Sequence, residues 1–205
     1  MNEVEMNKQA KLSPHLASPS EATLSHSNEL DGLRLSPHFT LGELTKTSYH
    51  TMDGNIPNRV AIENLKRICG WLEILRERYN KKYGEAGVTR EGQAPLCHAS
   101  RAQMDASPCV SLDIPVVISS GYRSEEVNRK CGGAKGSNHL TGCAVDVKCM
   151  GPEQMIRYAC LLLDTADENG WMFDELIQEK RGTTYWIHFA VRPKDNRRKI
   201  LFDCK

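Results

Sequence analysis

The segment GSNHLTGCAVDVKC, residues 136–149, limits most strongly what this chain can fold into. Gly142 permits a sharp turn, and the CAVDVKC that follows has the length and the alternation of a β-strand. His139 and Asp146 stand seven residues apart, a separation that suits a turn leading into a strand better than a single helix. Because Gly142 and Ala144 let the backbone bend between them, both side chains can converge, which makes them candidate ligands of a metal site.

A catalytic zinc site typically has three protein ligands and one open position, so a third ligand has to come from elsewhere. His188, inside the apolar run YWIHFAV, is the best candidate. Spacing alone leaves two other interpretations open: a strand His is more often a core or edge residue, and an Asp after a turn is more often a cap. Cys143 and Cys149 would lie about 20 Å apart on an extended strand, too far apart to chelate one ion, and we interpret them as core thiols.

The composition is typical of a soluble globular protein whose recognition depends on a local site. Hydrophobic residues make up 40% and charged residues 26% of the 205 residues, and the formal net charge of +1 gives no general attraction for nucleic acid or membranes. No run of about 18 apolar residues occurs, so no membrane insertion is expected. The N-terminus lacks the apolar region of a secretory signal, and the eight cysteines form no CxxC motif. We therefore expect cytoplasmic synthesis, reduced thiols and a monomer.

One domain is expected over residues 35–205, after a flexible N-terminal arm at residues 1–34 and with a long loop or insertion at residues 85–113. Start and stop signals predict four helices: one capped by Thr40, one from Pro57 to Gly84, one capped by Ser124 and ended by Gly132, and one from Pro152 to Gly170. Four strands are predicted: a buried one in PVVISSGYRS, CAVDVKC, and the pair FDELIQE and YWIHFAV around a tight turn at Arg181-Gly182. This mixture lacks a regular βαβ rhythm and favours an α+β fold.

Several segments resemble, in the same order along the chain, the zinc D-alanyl-D-alanine peptidases. SNHLTGCAVD fits the pattern Ser-x-His-x-x-Gly-x-Ala-x-Asp of that family, with SGYRS upstream of it and WIHFA downstream. LSPHFTLGEL, IPNRVAIENLKRI and FDELIQE extend the resemblance to the carboxypeptidase-like branch of bacterial and phage cell-wall peptidases. The resemblance covers roughly residues 35–190, with residues 85–113 as an insertion.

The resemblance implies an α+β fold with a small antiparallel sheet flanked by helices, shared with the zinc domain of hedgehog signalling proteins. It implies zinc as the cofactor, with His139, Asp146 and His188 as ligands. It also places Arg123 and Ser137 at positions that hold the substrate. A guanidinium can bind a peptide carboxylate in bidentate fashion, so Arg123 is counted among the catalytic groups. Two further residues, Tyr122 and Trp186, are expected to contact the substrate.

The chain departs from the family pattern at the general base. Many members carry an acidic residue three positions before the last His, where this chain has Tyr185. Tyrosine, with a free pKa of about 10, is a poor base at neutral pH. Glu179, at the end of FDELIQE, is the candidate replacement. A two-residue turn at Arg181-Gly182 would place Glu179 opposite Thr184, and a four-residue loop would place it opposite Trp186, diagonal to His188.

These features predict a zinc metallopeptidase that hydrolyses peptidoglycan stem peptides near D-amino acids. Zinc would activate a water, Glu179 would serve as the base, and Arg123 would anchor the substrate. The alternative is a zinc-containing module that binds cell-wall peptides or a protein partner without turnover, which Tyr185 in the base position favours. We expect action at the cell wall after release, as in an endolysin of phage or prophage type.

Overall fold

The computed structural model describes residues 32–84 and 113–204. Most of the predicted N-terminal arm and of the predicted loop at 85–113 lies outside these residues. The described part contains four α-helices: α1 Leu41–Thr45, α2 Arg59–Tyr83, α3 Glu125–Lys130 and α4 Pro152–Asn169. A short 3₁₀ helix, Asn138–Thr141, precedes the second strand. None of the described helices is long and apolar enough to cross a membrane.

The helices begin and end where the sequence signals predict. Thr40 and Glu43 form a reciprocal capping box at α1. Asn58 caps α2, which ends at Gly84, and Ser124 caps α3. Helix α4 begins at Pro152 and ends at Gly170, whose φ of 63° is the left-handed conformation common at helix ends.

Five strands form one sheet in the order β1-β2-β4-β3-β5. Their bounds are β1 Val117–Ser120, β2 Ala144–Cys149, β3 Glu175–Arg181, β4 Thr184–Ala190 and β5 Lys199–Cys204. Strands β1 to β4 pair antiparallel, as the resemblance implies, whereas β5 pairs parallel to β3. The α+β prediction is confirmed, but the sheet is mixed, and the sequence did not predict β5.

The two faces of the sheet differ in what covers them. Helices α2 and α4 pack on one face, where alternate residues of the central strands are fully buried: Val145, Val147, Leu176, Ile187 and Phe189. The opposite face carries Asp146 and His188, which lie directly across from each other on β2 and β4. Strand alternation therefore separates the core from the chemically reactive side chains.

The prediction of a buried first strand is wrong. Strand β1 is an edge strand, and its Val117 is 47% exposed. The tight turn also lies one residue further along than predicted, because Arg181 pairs with Thr184 and leaves Gly182 and Thr183 as the turn. Gly182 has a φ of 60°, which suits the first position of a two-residue hairpin turn.

Five described cysteines have no disulfide partner: Cys69, Cys131, Cys143, Cys149 and Cys160. Burial raises the pKa of the Cys69 and Cys149 thiols to about 12, so both are unreactive near neutral pH. Cys143 and Cys149 are buried thiols, in agreement with their interpretation as core residues.

Gly142 fixes the passage from the 3₁₀ helix into β2. Its φ is 69°, and a Cβ at this position would lie 2.5 Å from the carbonyl oxygen of Ala61 on α2. Its N–H donates to the His139 carbonyl at 3.2 Å. A side chain here would both strain the backbone and push α2 away from the turn.

We expect Gly142→Ala to lower the free energy of unfolding by more than Gly132→Ala does. Both glycines have a positive φ, but nothing lies within 4 Å of a Cβ at Gly132. Each variant should lose about 1–2 kcal/mol to the left-handed backbone, and Gly142→Ala should lose at least ~1 kcal/mol more from overpacking. Denaturant unfolding of both variants measures the difference, and equal losses would show that α2 adjusts without cost.

Candidate metal centre

Three buried donor atoms converge on the sheet face opposite the helices. His139 Nε2 lies 3.2 Å from His188 Nδ1 and 3.3 Å from Asp146 Oδ1, and His188 Nδ1 lies 3.0 Å from Asp146 Oδ1. The three residues are 2–7% exposed. The structure thus brings together three residues from three elements, the 3₁₀ helix, β2 and β4, and their role as metal ligands stays a prediction.

The spacing of these atoms fits zinc. Bonds of about 2.0–2.1 Å in a tetrahedron place neighbouring ligand atoms about 3.3 Å apart, close to the observed 3.0–3.3 Å. Within residues 32–84 and 113–204, no fourth His, Cys, Asp or Glu side chain completes this group. A set of three N and O donors with one position left open is typical of catalytic rather than structural zinc sites.

His139 is oriented by the backbone of the turn that follows β1. Its Nδ1 donates to the Gly121 carbonyl at 2.6 Å, which leaves Nε2 as the nitrogen that faces the other donors. The His139 carbonyl accepts from Arg123 N at 3.1 Å. A Cβ at Gly121 would lie 2.2 Å from the Leu44 carbonyl oxygen, so only Gly allows this close approach to α1.

Asp146 is held by Arg123 through its second oxygen. The Arg123 guanidinium forms an ion pair with Asp146 Oδ2, and its Nε donates to Ser120 Oγ at 2.8 Å. Burial opposes ionisation of Asp146, but His139 and His188 hold the pKa of its carboxyl far below the usual range. Asp146 is therefore an anion whose Oδ1 is directed at the two imidazoles.

The two imidazoles differ in charge. Burial lowers the pKa of His139 and keeps the ring neutral, which is the form that binds metals. Burial also opposes protonation of His188, but its hydrogen bonds to Asp146 and Glu175 outweigh this effect and raise its pKa to about 9. The Asp146 carboxylate thus favours a cation between the two rings, and a zinc ion bound there would displace the proton of His188.

Glu175 is a residue of this site that the sequence analysis missed. Its Oε2 lies 3.5 Å from His188 Nε2, the nitrogen that faces away from Asp146. A carboxylate that accepts from the outer nitrogen of a metal-binding His fixes its ring and raises its basicity. The sequence signal for Glu175 is alternation, which places it on the same face of the strand as Glu179.

Glu175 and Glu179 flank His188 diagonally, since Ile177 is the residue directly opposite it. The hydrogen bond to His188 lowers the pKa of Glu175 to about 2, and Arg197 adds to the effect. Burial raises the pKa of Glu179, and the negative charge of Asp146 adds to it. The two carboxylates thus have opposite environments: Glu175 is fixed by cations, and Glu179 has a carboxylate suited to exchanging a proton.

A cleft of about 260 Å³, here called the β3 cleft, opens on this side of the centre. Its walls are Ala134, Gly136, Ser137, Asn138, Glu175, Ile177, Glu179, His188 and Arg197. Glu179 lies opposite Trp186, as expected for the four-residue loop, and is therefore diagonal to His188. Diagonal neighbours in a sheet lie about 7–8 Å apart. Glu179 is therefore near enough to act on a water or substrate beside His188.

The other predicted residues lie around the centre. Ser137 borders the β3 cleft, and its Oγ accepts from His139 N at 3.3 Å. Trp186 is half-buried on the face that carries His188.

Tyr122 borders a second cleft beside β1. Tyr185 is on the other face of β4, packed against the core, as alternation predicts. The substrate-binding roles of these side chains remain predictions.

A buried network ties the 3₁₀ helix to β3. Asp174 is completely buried and accepts from Arg197 Nε at 2.8 Å and from Asn138 Nδ2 at 2.8 Å. Asn138 also donates to Glu175 Oε2 at 3.0 Å. Because Asn138 precedes His139, this network positions the first ligand relative to the strand that carries Glu175. No local sequence pattern indicates that Arg197 belongs to it.

Part of the chain is similar to a known protein family. Residues 82–175 match the family model of Peptidase M15, a family of the zinc D-Ala-D-Ala carboxypeptidase type. The matched segment, a little under half of the chain, is similar to this family. The similarity points to a zinc-dependent metallopeptidase. The match includes His139 and Asp146 but ends before His188, whose place in the centre rests on the geometry. No curated protein matches the sequence significantly.

Removal of a ligand should abolish zinc binding. We expect His139→Ala and His188→Ala to retain no stoichiometric zinc, because two donors of this set cannot hold the ion tightly. The control is His50→Ala, which removes an exposed imidazole elsewhere. Metal analysis after dialysis is the measurement, and undiminished zinc in both ligand variants would disprove the site.

Glu175→Gln should weaken zinc binding about 10–100-fold, the usual effect of losing a partner behind a metal-binding His. The amide keeps the shape of the side chain but removes the charge that His188 faces. Glu153→Gln, on the exposed first turn of α4, is the matched control. Competition with a chromophoric chelator gives both dissociation constants, and equal values for the two variants would contradict the role of Glu175.

Asp174 should make stability depend on acid pH. Arg197 outweighs the effect of burial and lowers the pKa of Asp174 to about 2, against about 3.9 in an unfolded chain. Its stabilisation is therefore complete above about pH 4 and is lost as the pH falls to about 2. The difference in the free energy of unfolding between the wild type and Asp174→Asn should decrease as the pH falls over this range. Asp164→Asn, which changes an exposed carboxylate, should show no such difference. Denaturant unfolding at several pH values is the measurement.

Proposed function

We propose that this protein hydrolyses peptidoglycan stem peptides at bonds next to D-amino acids, as a zinc metallopeptidase. The observation that carries the proposal is the convergence of His139, Asp146 and His188, at distances that fit zinc, beside the β3 cleft. The family match supports peptidase chemistry in general. The choice of stem peptides and the position of the cut belong to the proposal.

Zinc, when bound, supplies a Lewis acid that polarises the scissile carbonyl and activates a water. Glu179 is placed to accept a proton from a water in the β3 cleft at its carboxylate and to return it to the leaving amine nitrogen. Glu175 keeps the His188 ring oriented. The raised pKa of Glu179, caused first by burial, suits a group that both accepts and donates a proton.

Arg123 can anchor substrate while it holds Asp146. Its Nε and Nη2 are used by Ser120 and Asp146, whereas Nη1 has no acceptor among the residues that the structure describes. A planar guanidinium can serve both sides at once because its donors point in different directions. The remaining donor is available to a carbonyl or carboxylate of the peptide.

The alternative of a binding module without turnover drew its support from Tyr185. The structure places this side chain against the core, and it places the Glu179 carboxylate on the face of the metal centre. With a carboxylate in reach and a three-donor set, the arrangement favours the enzyme.

Mass analysis of products tests the function. The full chain, with zinc content verified, is incubated with defined muropeptides, and the expected result is a peptide shortened or split at a bond next to a D-amino acid. Peptides that bind but remain intact would overturn the proposal in favour of the binding module.

Glu179→Gln should reduce turnover about 10²–10⁴-fold with zinc content unchanged, since a positioned base typically contributes that much. Tyr185→Phe is the matched comparison and should keep near wild-type turnover, because the hydroxyl faces away from the centre. The measurement is kcat for cleavage of one muropeptide. Full activity of Glu179→Gln together with loss in Tyr185→Phe would assign the proton transfer to the tyrosine instead.

A further inference from the structure

A second cleft lies on the β1 side of the metal centre, on the other side from the β3 cleft. It has a volume of about 550 Å³ and lies between residues 46–49 and strand β1, and we call it the β1 cleft. Arg123, the partner of Asp146, is part of its wall, and so is Ser120, which pairs with Asp146 across the strands. A peptide that crosses the metal centre can therefore place one arm in each cleft.

The two clefts differ in charge. The walls of the β3 cleft include Glu175 and Glu179. The β1 cleft is bordered by three cations, Lys46, Arg123 and Lys148, and by no carboxylate of the described residues. Because Arg123 is already paired with Asp146, the two lysines supply the net positive charge.

Neither lysine has an internal partner. Within residues 32–84 and 113–204, the ammonium groups of Lys46 and Lys148 form no ion pair or hydrogen bond, and both side chains are exposed. Several other described lysines do have carboxylate partners, for example Lys66 with Glu63 and Lys130 with Glu126. The charge in the β1 cleft is therefore available to a ligand.

The sheet register gives the distance between Lys148 and the metal centre. Lys148 follows Asp146 by two residues on β2, so both side chains stand on the same face. Two residues of a strand span about 6.6–6.8 Å, and an extended peptide advances about 3.3–3.6 Å per residue. A substrate group one or two residues beyond a carbonyl at the metal would thus lie beside Lys148.

We propose that the β1 cleft binds a carboxylate of the substrate peptide, one or two residues from the scissile bond, through Lys148 with help from Lys46. This inference rests on the proposed function and adds a specificity determinant to it. The carboxylate is either the C-terminus of the peptide or an acidic side chain, since an ammonium group binds both. Peptides without a carboxylate at this distance are poorer substrates.

The test uses the full-length, zinc-loaded protein and a synthetic stem peptide that ends in D-Ala-D-Ala. Three forms are compared: the free acid, the C-terminal carboxamide, and the free acid with its acidic side chain amidated. For a peptide that is cleaved, the measurement is kcat/KM; for one that is not, it is the Kd from calorimetry. The expected result is that one amidated form is about five- to tenfold poorer, the effect of one charge-assisted hydrogen bond in a solvent-screened cleft.

Lys148→Gln should remove this preference by weakening only the form that carries the recognised carboxylate, and Lys148→Arg should restore most of it. The matched control is Lys180→Gln, which removes a charge on β3 whose ammonium lies over the Tyr185 ring. Added salt should reduce the preference in the wild type.

The outcomes separate the two proposals. Absence of cleavage with a preserved preference in Kd would overturn the peptidase function but support the carboxylate site. Cleavage of all three forms at equal rates, or equal losses for acid and amide in Lys148→Gln, would overturn the carboxylate site and leave the peptidase function standing. A preference that Lys180→Gln also removes would show a general charge effect and would likewise overturn the site.

Discussion

The buried carboxylate of Asp146 is the interaction on which the rest of the site depends. An ionised carboxylate that is almost fully buried needs compensating charge, because the cost of leaving it unpaired is several kcal/mol. Arg123 forms an ion pair with one carboxylate oxygen, and the imidazoles of His139 and His188 contact the other. The turn after β1, the 3₁₀ helix and strand β4 must therefore all approach β2 at one point. The same arrangement leaves Asp146 Oδ1 as a candidate metal donor of fixed direction.

The sheet makes this convergence possible because one of its faces forms the core and the other carries the polar side chains of the centre. On one face, α2 and α4 cover a core of aliphatic and aromatic side chains. On the other, the period of two along β2 and β4 aligns Asp146 with His188 in a pair of central strands whose positions are held by neighbours on both sides. Ligands on such strands keep their geometry better than ligands on loops. Two of the three donor residues are therefore held on central strands, and a cleft lies on either side of them.

Glu175 and Glu179 show how neighbours give similar residues different tasks. Both stand on β3 and both flank His188, yet Arg197 and Lys199 lie beside Glu175, whereas the nearest charges that affect Glu179 include Asp146 and Asp203. One carboxylate is therefore a fixed anion that orients a ligand, and the other is suited to proton transfer. The carboxylates of the β3 cleft and the lysines of the β1 cleft thus give the two sides of the centre opposite charges.

Local sequence determined much of this protein. The caps at Thr40 and Ser124, the Pro152 helix start and the alternation in CAVDVKC and YWIHFAV predicted elements that the structure contains, because each depends on neighbours a few residues away. The pattern around His139 and Asp146, together with His188, predicted the three donors. Tertiary structure alone decided that β1 is an edge, that β5 joins β3 in parallel, and that Glu179 faces Trp186. It also brought Asp174, Glu175 and Arg197 together behind the centre. Pairing between distant segments and partners for buried charges are settled by the packing of the whole sheet, and no local period in the sequence records them.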